Sequence, residues 1–235
     1  MNIRNNIKKI KILTGPLYFL KHKHAEIKRS GIIKKYLQTA SCRKLNLGCG
    51  GYILEGWLNT DLGIYDNRIS VRLDVTKKMP FSDNTFDFVN AEHLIEHLPY
   101  PRAGFMLGEC HRILKENGVI RISTPDFEFF MKEIYPNRDN RYGWYLKYYN
   151  DRFFGYPEIS PTIFINGVFN SWGHSFLYDF KTLKMILEET GFRKPKRLAV
   201  QKSAYPELTG IEMHGKMNTR EDVNTAESLV AEAVK

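Results

Sequence analysis

The sequence predicts an α/β fold in which helices cover a doubly wound, mostly parallel sheet. Between residues 44 and 126, short apolar segments that end at a turn or an acid alternate with helical patterns, which is typical of such sheets. The first of these segments, Lys44–Leu47, runs directly into a turn that contains Gly48, Gly50 and Gly51. Glycine lets the backbone approach a ligand closely, and in open α/β sheets this turn lies where nucleotides bind.

Charge is distributed unevenly along the 235 residues. The chain carries a net charge of +9, but residues 1–44 hold twelve lysines and arginines and a single acid, so the rest of the chain is slightly acidic. We therefore interpret residues 1–43 as a basic N-terminal helical arm, which suits an acidic partner or an anionic membrane surface. A solvated helical extension explains the same charges equally well.

The three cysteines, Cys42, Cys49 and Cys110, are odd in number and form no C-x-x-C pattern. This argues against a disulfide framework or a zinc ribbon and favours a reducing compartment. No apolar run approaches the roughly 20 residues that a membrane-spanning helix needs, and no small-residue cleavage site follows the mildly apolar segment Ile10–Leu20. The expected location is the cytoplasm, with the arm available for the inner face of the membrane.

The first four strands follow from short apolar segments that stop at polar residues. The gap between Lys44–Leu47 and the second strand, Trp57–Leu62, is too short for a full helix, so this crossover is predicted to be reduced to a turn or two. Ile69–Asp74 is the third strand and, like the second, it ends close to an acid. The turn-rich loop Met79–Thr85 leads to the fourth strand, Phe86–Ala91.

Helical patterns and three further strands complete the predicted fold. Leu94–Leu98 starts a helix, and Pro101–Leu114 is a stronger one, with Gly118 predicted to end it in the left-handed conformation. Val119–Ser123 is the fifth strand. The later elements are the amphipathic helix Asp179–Glu189, capped by Asp179 and stopped by Gly191, a strand over Lys196–Gln201, a loop over Pro206–Asn218 and a last strand over Ser228–Val234.

Five segments in chain order resemble motifs of the class I S-adenosylmethionine-dependent methyltransferases. Leu45–Gly50 is similar to the first motif of that family, and Asp61 falls where the family keeps an acid at the end of its second strand. Leu73–Val75 and the run Pro80–Asp87 are similar to its third strand and the following loop. Ala91–Leu98 and Arg112–Gly118 are similar to the segments after its fourth strand and before its fifth.

This resemblance covers about residues 44 to 126. Trp172–Asp179 and Glu227–Lys235 are in addition similar to a type-11-like branch of predicted bacterial methyltransferases, often associated with surface-polysaccharide genes. The resemblance implies a Rossmann-like seven-stranded sheet with strand order 3-2-1-4-5-7-6 and an antiparallel last strand. It implies one methyltransferase domain over residues 44–235. Positions 142–180 hold 14 of the 31 aromatic residues, so residues 127–178 are interpreted as an aromatic insertion that covers the substrate or contacts another subunit.

The resemblance also implies S-adenosylmethionine as the cofactor, with S-adenosylhomocysteine as its product. Asp61 would accept hydrogen bonds from both ribose hydroxyls, because a carboxylate has two acceptor oxygens, and Asp74 with Val75 would hold the adenine. A loop-capping role is the alternative for both acids. The remaining cofactor-binding candidates belong to the glycine turn and to the wall beside the sulfonium: Asn46, Gly48, Cys49, Gly50, Ala91 and Glu92. Asn46 stands where the family usually has an acid.

The expected reaction is methylation of an oxygen on a small molecule or saccharide. A hydroxyl acceptor benefits from a general base, and histidine is suited to this role near neutral pH. His174, at the end of the aromatic insertion, is the first candidate and His93 the second, with a structural role as the alternative for each. The candidates for substrate binding are Asp126, Tyr145, Trp172 and His214.

Residues 93–97 also match H-x-x-E-H, a pattern of zinc hydrolases. The pattern begins at a strand end, inside a segment that the methyltransferase resemblance already explains, and no third ligand stands out in the sequence. No metal is therefore predicted. His97 is expected to pack or to cap within its helix.

Three other functions stay open. The basic arm favours nucleic-acid methylation, but no Asn/Asp-Pro-Pro-aromatic tetrad follows the fourth strand, and the slightly acidic body is a poor surface for phosphates. A non-catalytic nucleotide-binding scaffold is supported by Asn46. A dehydrogenase is disfavoured because the third glycine of G-x-G-x-x-G falls on Ile53. An oligomer is compatible with the sequence.

Overall fold

The structure is a computed structural model that describes residues 29–63, 71–217 and 220–235. Most of the basic arm (residues 1–28) and the first part of the predicted third strand lie outside these ranges. Residues 29–39 are helical and form α1. In the described part of the chain, no helix is both long enough and apolar enough to cross a membrane.

The sheet has the order β3-β2-β1-β4-β5-β7-β6. Neighbouring strands from β3 to β5 are parallel, and β7 is antiparallel to both β5 and β6. The predicted strand order and the antiparallel last strand are confirmed. The strands are β1 (Lys44–Leu47), β2 (Leu58–Asp61), β3 (Val71–Arg72), β4 (Phe86–Glu92), β5 (Leu114–Pro125), β6 (Arg193–Leu198) and β7 (Ser228–Val234).

Helices cover the sheet and build the segment between β5 and β6. The α-helices after α1 are α2 (Tyr100–Ile113), α3 (Phe127–Phe129), α4 (Gly143–Tyr149), α5 (Pro161–Asn170), α6 (Phe180–Glu189), α7 (His214–Met217) and α8 (Glu221–Glu227). Both α3 and α4 continue as π-helical turns, Phe130–Ile134 and Asn150–Phe154, and single 3-10 turns lie at Ile95–His97, Arg138–Asn140 and Pro206–Leu208. Asp179 caps α6 as predicted, because its carboxylate accepts a hydrogen bond from the Thr182 amide at 2.7 Å.

Several local predictions need correction. Strand β5 begins at Leu114, earlier than predicted, and its pairing with β4 shifts register before Val119. The left-handed residue of that connection is Asn117, with φ +62°. Gly118 is required for a different reason, since an added Cβ would lie 2.8 Å from the Lys115 carbonyl oxygen. The predicted sixth strand lies at Arg193–Leu198, and the predicted loop after it contains two helical turns.

The aromatic insertion has a hydrophobic core of its own. Its buried residues pack apart from the main core, which fills the space between the sheet and the helices α2 and α6. Aromatic rings account for much of the second core, where edge-to-face contacts predominate. Its buried members are Phe130, Ile134, Tyr145, Leu146, Tyr149, Phe164, Val168, Leu177 and Val223. The insertion is therefore a packed helical layer beside the carboxyl end of β5.

A buried arginine joins the antiparallel half of the sheet to the segment before α7. The Arg121 side chain on β5 donates to Glu212 and to Glu232 at 2.5 Å each and to the Lys202 carbonyl at 3.0 Å. All three charged side chains are nearly inaccessible to solvent. Because a buried charge needs its partner, these ion pairs fix the position of Glu212, two residues before α7.

Replacing Arg121 by Met is expected to lower the free energy of unfolding by about 3–5 kcal/mol, because two buried carboxylates lose their partner. Urea unfolding followed by circular dichroism measures the change. Lys147→Met is the matched control, since the Lys147–Asp151 pair is exposed and such pairs contribute about 1 kcal/mol or less. Equal effects of the two substitutions would contradict this assignment.

Candidate functional site

A cavity of about 570 Å³ opens at the carboxyl ends of the central strands. Gly48 follows β1, Glu92 ends β4 and Pro125 ends β5, and all three line this cavity. The aromatic insertion forms the opposite wall. Ligands of open α/β sheets bind at this edge, and the volume is within the range of small-molecule pockets.

The structure brings together about half of the predicted site residues. Those that line the cavity are Gly48, Gly50, Glu92, His93, Trp172, His174 and His214. Sequence reasoning missed a second set, which includes Tyr52, Glu96, His97, Tyr149, Arg152, Phe153 and Glu227. Glu96 and His97 were visible within the H-x-x-E-H pattern. The others had no signal, because they come from distant segments that meet only in the folded chain.

The turn after β1 is tight and held in place by Asp61. Gly48 and Gly50 have φ angles of +58° and +50°, which favour glycine. Asp61, at the end of β2, accepts hydrogen bonds from the Gly50 amide at 2.8 Å and from the Gly63 amide at 2.7 Å. Each carboxylate oxygen keeps a further lone pair for a ligand. Asp61 therefore positions the turn and can also bind hydroxyl groups beside it.

Asn46 lies inside the sheet and not on the cavity wall. Its side-chain nitrogen donates to the Tyr52 carbonyl and to Asn59, and its oxygen accepts from Asn90, each at 3.0 Å. Both amide hydrogens of Asn46 are therefore used within a buried ladder that crosses β2, β1 and β4. The ladder explains why residue 46 is an uncharged asparagine. A carboxylate here has no hydrogen to donate, and its oxygen would face the side-chain oxygen of Asn59.

Five other predicted cofactor residues also lie off the cavity wall, namely Cys49, Asp61, Asp74, Val75 and Ala91. Asp74 accepts hydrogen bonds from the Thr76 amide and hydroxyl and pairs with Lys77 at 3.1 Å. Burial opposes ionisation of Asp74, but these hydrogen bonds outweigh it and lower the pKa of the carboxyl. Asp74 thus caps its own loop. The side chains of Cys49, Val75 and Ala91 are buried.

His93 and Glu96 form a buried pair immediately after β4. His93 has a φ of +47°, which is uncommon for a residue other than glycine. Its Nδ1 lies 3.1 Å from Glu96, whose other carboxylate oxygen accepts from the Thr124 hydroxyl at 3.1 Å. Burial opposes charge on both groups, but their mutual contact prevails, so the pKa of His93 is raised and the pKa of Glu96 is lowered. The buried Nε2 of His93 has no hydrogen-bond partner among the described residues.

His214 stacks on His93 with ring centroids 4.0 Å apart. The Glu92 carboxylate fixes its backbone, accepting hydrogen bonds from the Met213 and His214 amides at 2.8 Å. Burial, together with the neighbouring positive charge of His93, lowers the pKa of His214 to about 2. Burial also raises the pKa of Glu92. Glu92 therefore connects the end of β4 with the start of α7.

Tyr145 and Asp126 act behind the cavity. The Tyr145 and Tyr149 hydroxyls donate to the same oxygen of Glu227 at 2.5 and 2.6 Å. The other oxygen of Glu227 lies 3.8 Å from His214 Nε2, and burial raises the pKa of this carboxyl. Asp126 caps α3 and pairs with Arg197. Tyr145 therefore holds a carboxylate of the wall, and Asp126 holds the insertion on the sheet.

His174 presents one ring nitrogen to the cavity. Its Nδ1 donates to the Val168 carbonyl at 2.8 Å, which places the proton on Nδ1 and leaves the Nε2 lone pair available. Its ring lies 5.1 Å from that of His97. Burial lowers the pKa of His174, so the imidazole is neutral at physiological pH.

Aromatic rings and one cation form the outer rim of the cavity. Trp172 is 46% exposed and has a φ of +56°, and its ring lies 5.4 Å from that of Phe153. The Arg152 guanidinium lies over Phe153 at 5.4 Å. Strained backbone at a bulky residue accompanies functional sites. The rim can stack on a flat apolar face of a ligand.

Comparisons with known proteins find a methyltransferase domain and a methyltransferase fold. Residues 59–122 match a family model described as a methyltransferase domain. An uncharacterized protein of Methanocaldococcus jannaschii is 30% identical over 172 residues, which are 60% of this chain and 72% of that protein. The crystal structure of an S-adenosylmethionine-dependent methyltransferase from Archaeoglobus fulgidus superimposes with a TM-score of 0.51 at 19% identity, covering 93% of this chain and 99% of that one. This last likeness concerns the fold.

Gly48→Ala is expected to destabilise the protein by about 1–3 kcal/mol more than Gly50→Ala, because overpacking adds to backbone strain. Both positions have a positive φ, so alanine at either one would incur the strain of the left-handed conformation. An added Cβ at Gly48 would lie 2.6 Å from Leu94, whereas none of the surrounding atoms lies within 4 Å at Gly50. Urea unfolding compares the variants. Equal losses would show that the turn does not pack on Leu94 as described.

Proposed function

Because this chain belongs to the class I S-adenosylmethionine-dependent methyltransferases, we propose that it methylates an oxygen atom of a small molecule or saccharide. The observation that carries this proposal is the cavity beside the glycine turn. Its wall combines imidazoles, which can activate a hydroxyl, with an aromatic rim, which can stack on a sugar ring. No comparison given above names the acceptor, so the proposal rests on the side chains themselves.

The residues at the glycine turn fit the cofactor. The positive φ angles of Gly48 and Gly50 let the backbone pass close to its methionine part. Asp61 has lone pairs available for the ribose hydroxyls. The carboxylates Glu92, Glu96 and Glu227 in the same cavity favour a sulfonium cation. When bound, S-adenosylmethionine supplies a methyl group on a sulfonium sulfur, which keeps the bonding electron pair when the methyl moves to the acceptor.

His174 activates the acceptor in this proposal. The hydrogen bond from its Nδ1 to Val168 leaves Nε2 as the atom that can act on a ligand in the cavity. His93 contacts Glu96 through Nδ1, and its Nε2, which has no partner among the described residues, could hydrogen-bond the acceptor. Alignment of the two reacting atoms in the cavity would provide much of the rate enhancement.

The rim provides the basis for a saccharide acceptor. Trp172 and Phe153 stand edge to face at the mouth of the cavity, and the exposed face of an indole ring covers apolar C–H surfaces of a sugar. Arg152 beside them favours acceptors that carry an acidic group. With a saccharide acceptor, the proposal extends to a role in polysaccharide synthesis. We also propose a cytoplasmic location, because Cys42, Cys49 and Cys110 form no disulfide.

Calorimetric titration with S-adenosylhomocysteine tests cofactor binding. We expect saturable binding to the wild type and no binding of NAD. Asp61→Ala should weaken binding about tenfold to a hundredfold, because hydrogen bonds to a charged group contribute about 1.5–3 kcal/mol. Glu55→Ala, an exposed acid near the same turn, is the control. A folded wild type that does not bind S-adenosylhomocysteine would favour the non-catalytic scaffold.

Labelled S-adenosylmethionine tests the acceptor class and the role of His174. When the protein is incubated with labelled S-adenosylmethionine, we expect sugars or glycans to become labelled and RNA and DNA to remain unlabelled. His174→Gln is expected to lower kcat about 10²- to 10⁴-fold and to leave the affinity for S-adenosylhomocysteine unchanged. His111→Gln, a substitution outside the cavity, should have no effect. Label in RNA would support the nucleic-acid alternative, and an unchanged kcat would remove His174 from the mechanism.

A further inference from the structure

We propose that Glu96, His97 and His174 bind a divalent transition-metal cation, with Zn²⁺ as the best match, at the wall of the cavity. One carboxylate oxygen and one nitrogen from each ring lie within 4.8 Å of one another. The ligand atoms of a single zinc ion lie about 2.0–2.2 Å from it. Small side-chain rotations are therefore enough to bring all three groups onto one ion.

The structure prepares each of the three ligands. His174 donates from Nδ1 to the Val168 carbonyl at 2.8 Å, the arrangement that orients a metal-binding imidazole and leaves Nε2 for the metal. Glu96 is held by His93 and by the Thr124 hydroxyl, and a carboxylate oxygen with one such contact retains a lone pair. In the described ranges, neither ring nitrogen of His97 has a hydrogen-bond partner.

Backbone contacts bring the third ligand to the other two. The Ser175 and Phe176 amides donate to the Glu96 carbonyl at 2.7 and 3.1 Å. These bonds fix the segment that carries His174 against the turn that carries Glu96 and His97. Two of the three ligands, Glu96 and His97, are the last two residues of the H-x-x-E-H pattern. The third, His174, comes from a segment far along the chain.

The charges and the ligand types favour a transition metal. Glu96 contributes one carboxylate ligand, and the carboxyl groups of Glu92 and Glu227 line the same cavity. Two imidazoles and one carboxylate suit Zn²⁺ and its first-row neighbours, whereas Mg²⁺ and Ca²⁺ prefer oxygen ligands. Catalytic zinc ions keep three protein ligands and one open position.

A bound cation would replace His174 as the group that activates the acceptor, because a ring nitrogen that binds the metal cannot also accept a proton. This use rests on the proposed function, but binding of the metal does not. An acceptor hydroxyl that binds the cation loses its proton more readily, and the proton passes to solvent. The resulting alkoxide oxygen forms the bond to the methyl carbon as the carbon–sulfur bond breaks, and the electron pair of that bond stays on sulfur.

Titration of the chelator-treated full-length protein with Zn²⁺ tests the site, using calorimetry and elemental analysis of the dialysed protein. We expect one ion per chain and a raised unfolding temperature on binding. His97→Gln and His174→Gln should each weaken Zn²⁺ binding at least about tenfold. Mg²⁺ should not compete. Co²⁺ should give a visible absorption spectrum that both variants lose.

Two controls keep the result specific. His111→Gln removes an imidazole that packs on Phe192 and should leave the affinity unchanged. The double variant His22→Gln/His24→Gln removes the two histidines of the basic arm and should also leave it unchanged. Loss of binding in the arm variant, or wild-type affinity in His97→Gln, would overturn the proposal.

The two binding experiments test the metal site and the cofactor site independently. His97→Gln should still bind S-adenosylhomocysteine, and Asp61→Ala should still bind Zn²⁺. Cofactor binding without Zn²⁺ binding would refute the metal site and leave the methyltransferase proposal intact. Zn²⁺ binding without cofactor binding would refute the proposed cofactor residues instead.

Discussion

The parallel pairing of β1 with β4, in which Leu47 lies beside Ala91, determines where the parts of the cavity lie. A Cβ at Gly48 would approach Leu94 to 2.6 Å, so the turn after β1 packs directly on the segment after β4. That segment carries His93, Glu96 and His97. Because parallel strands end at one edge of the sheet, this pairing places the glycine turn beside a set of ionisable groups.

Buried carboxylates then link the more distant segments to that edge. Glu92 holds the backbone at the start of α7, and Glu227, just before β7, is held by tyrosines of the aromatic insertion. Each carboxylate is hydrogen-bonded, as burial requires. The C-terminal strand, the insertion and the post-β4 segment therefore meet in one wall, although they are far apart in the sequence.

The sheet could be predicted because its signals are local. Lys44–Leu47 and Ser228–Val234 form strands with the predicted bounds, since apolar segments between turns leave few alternatives. The residues of the site were harder to predict from the sequence. Asn46 and Asp74 satisfy their hydrogen bonds within the fold, which no motif reveals. Glu227 carries no pattern of its own. His97 belongs to the H-x-x-E-H pattern, but its neighbours in the cavity, like those of Glu227, depend on how the insertion packs.

The central claim is that cofactor and acceptor meet in the cavity between the glycine turn and His174. A crystal structure of the protein with S-adenosylhomocysteine tests it most directly. The account predicts the ribose hydroxyls on Asp61, the methionine part along Gly48 and Gly50, and the sulfur facing the histidines. A ligand bound away from the glycine turn, or with its sulfur turned from His93 and His174, would contradict the account.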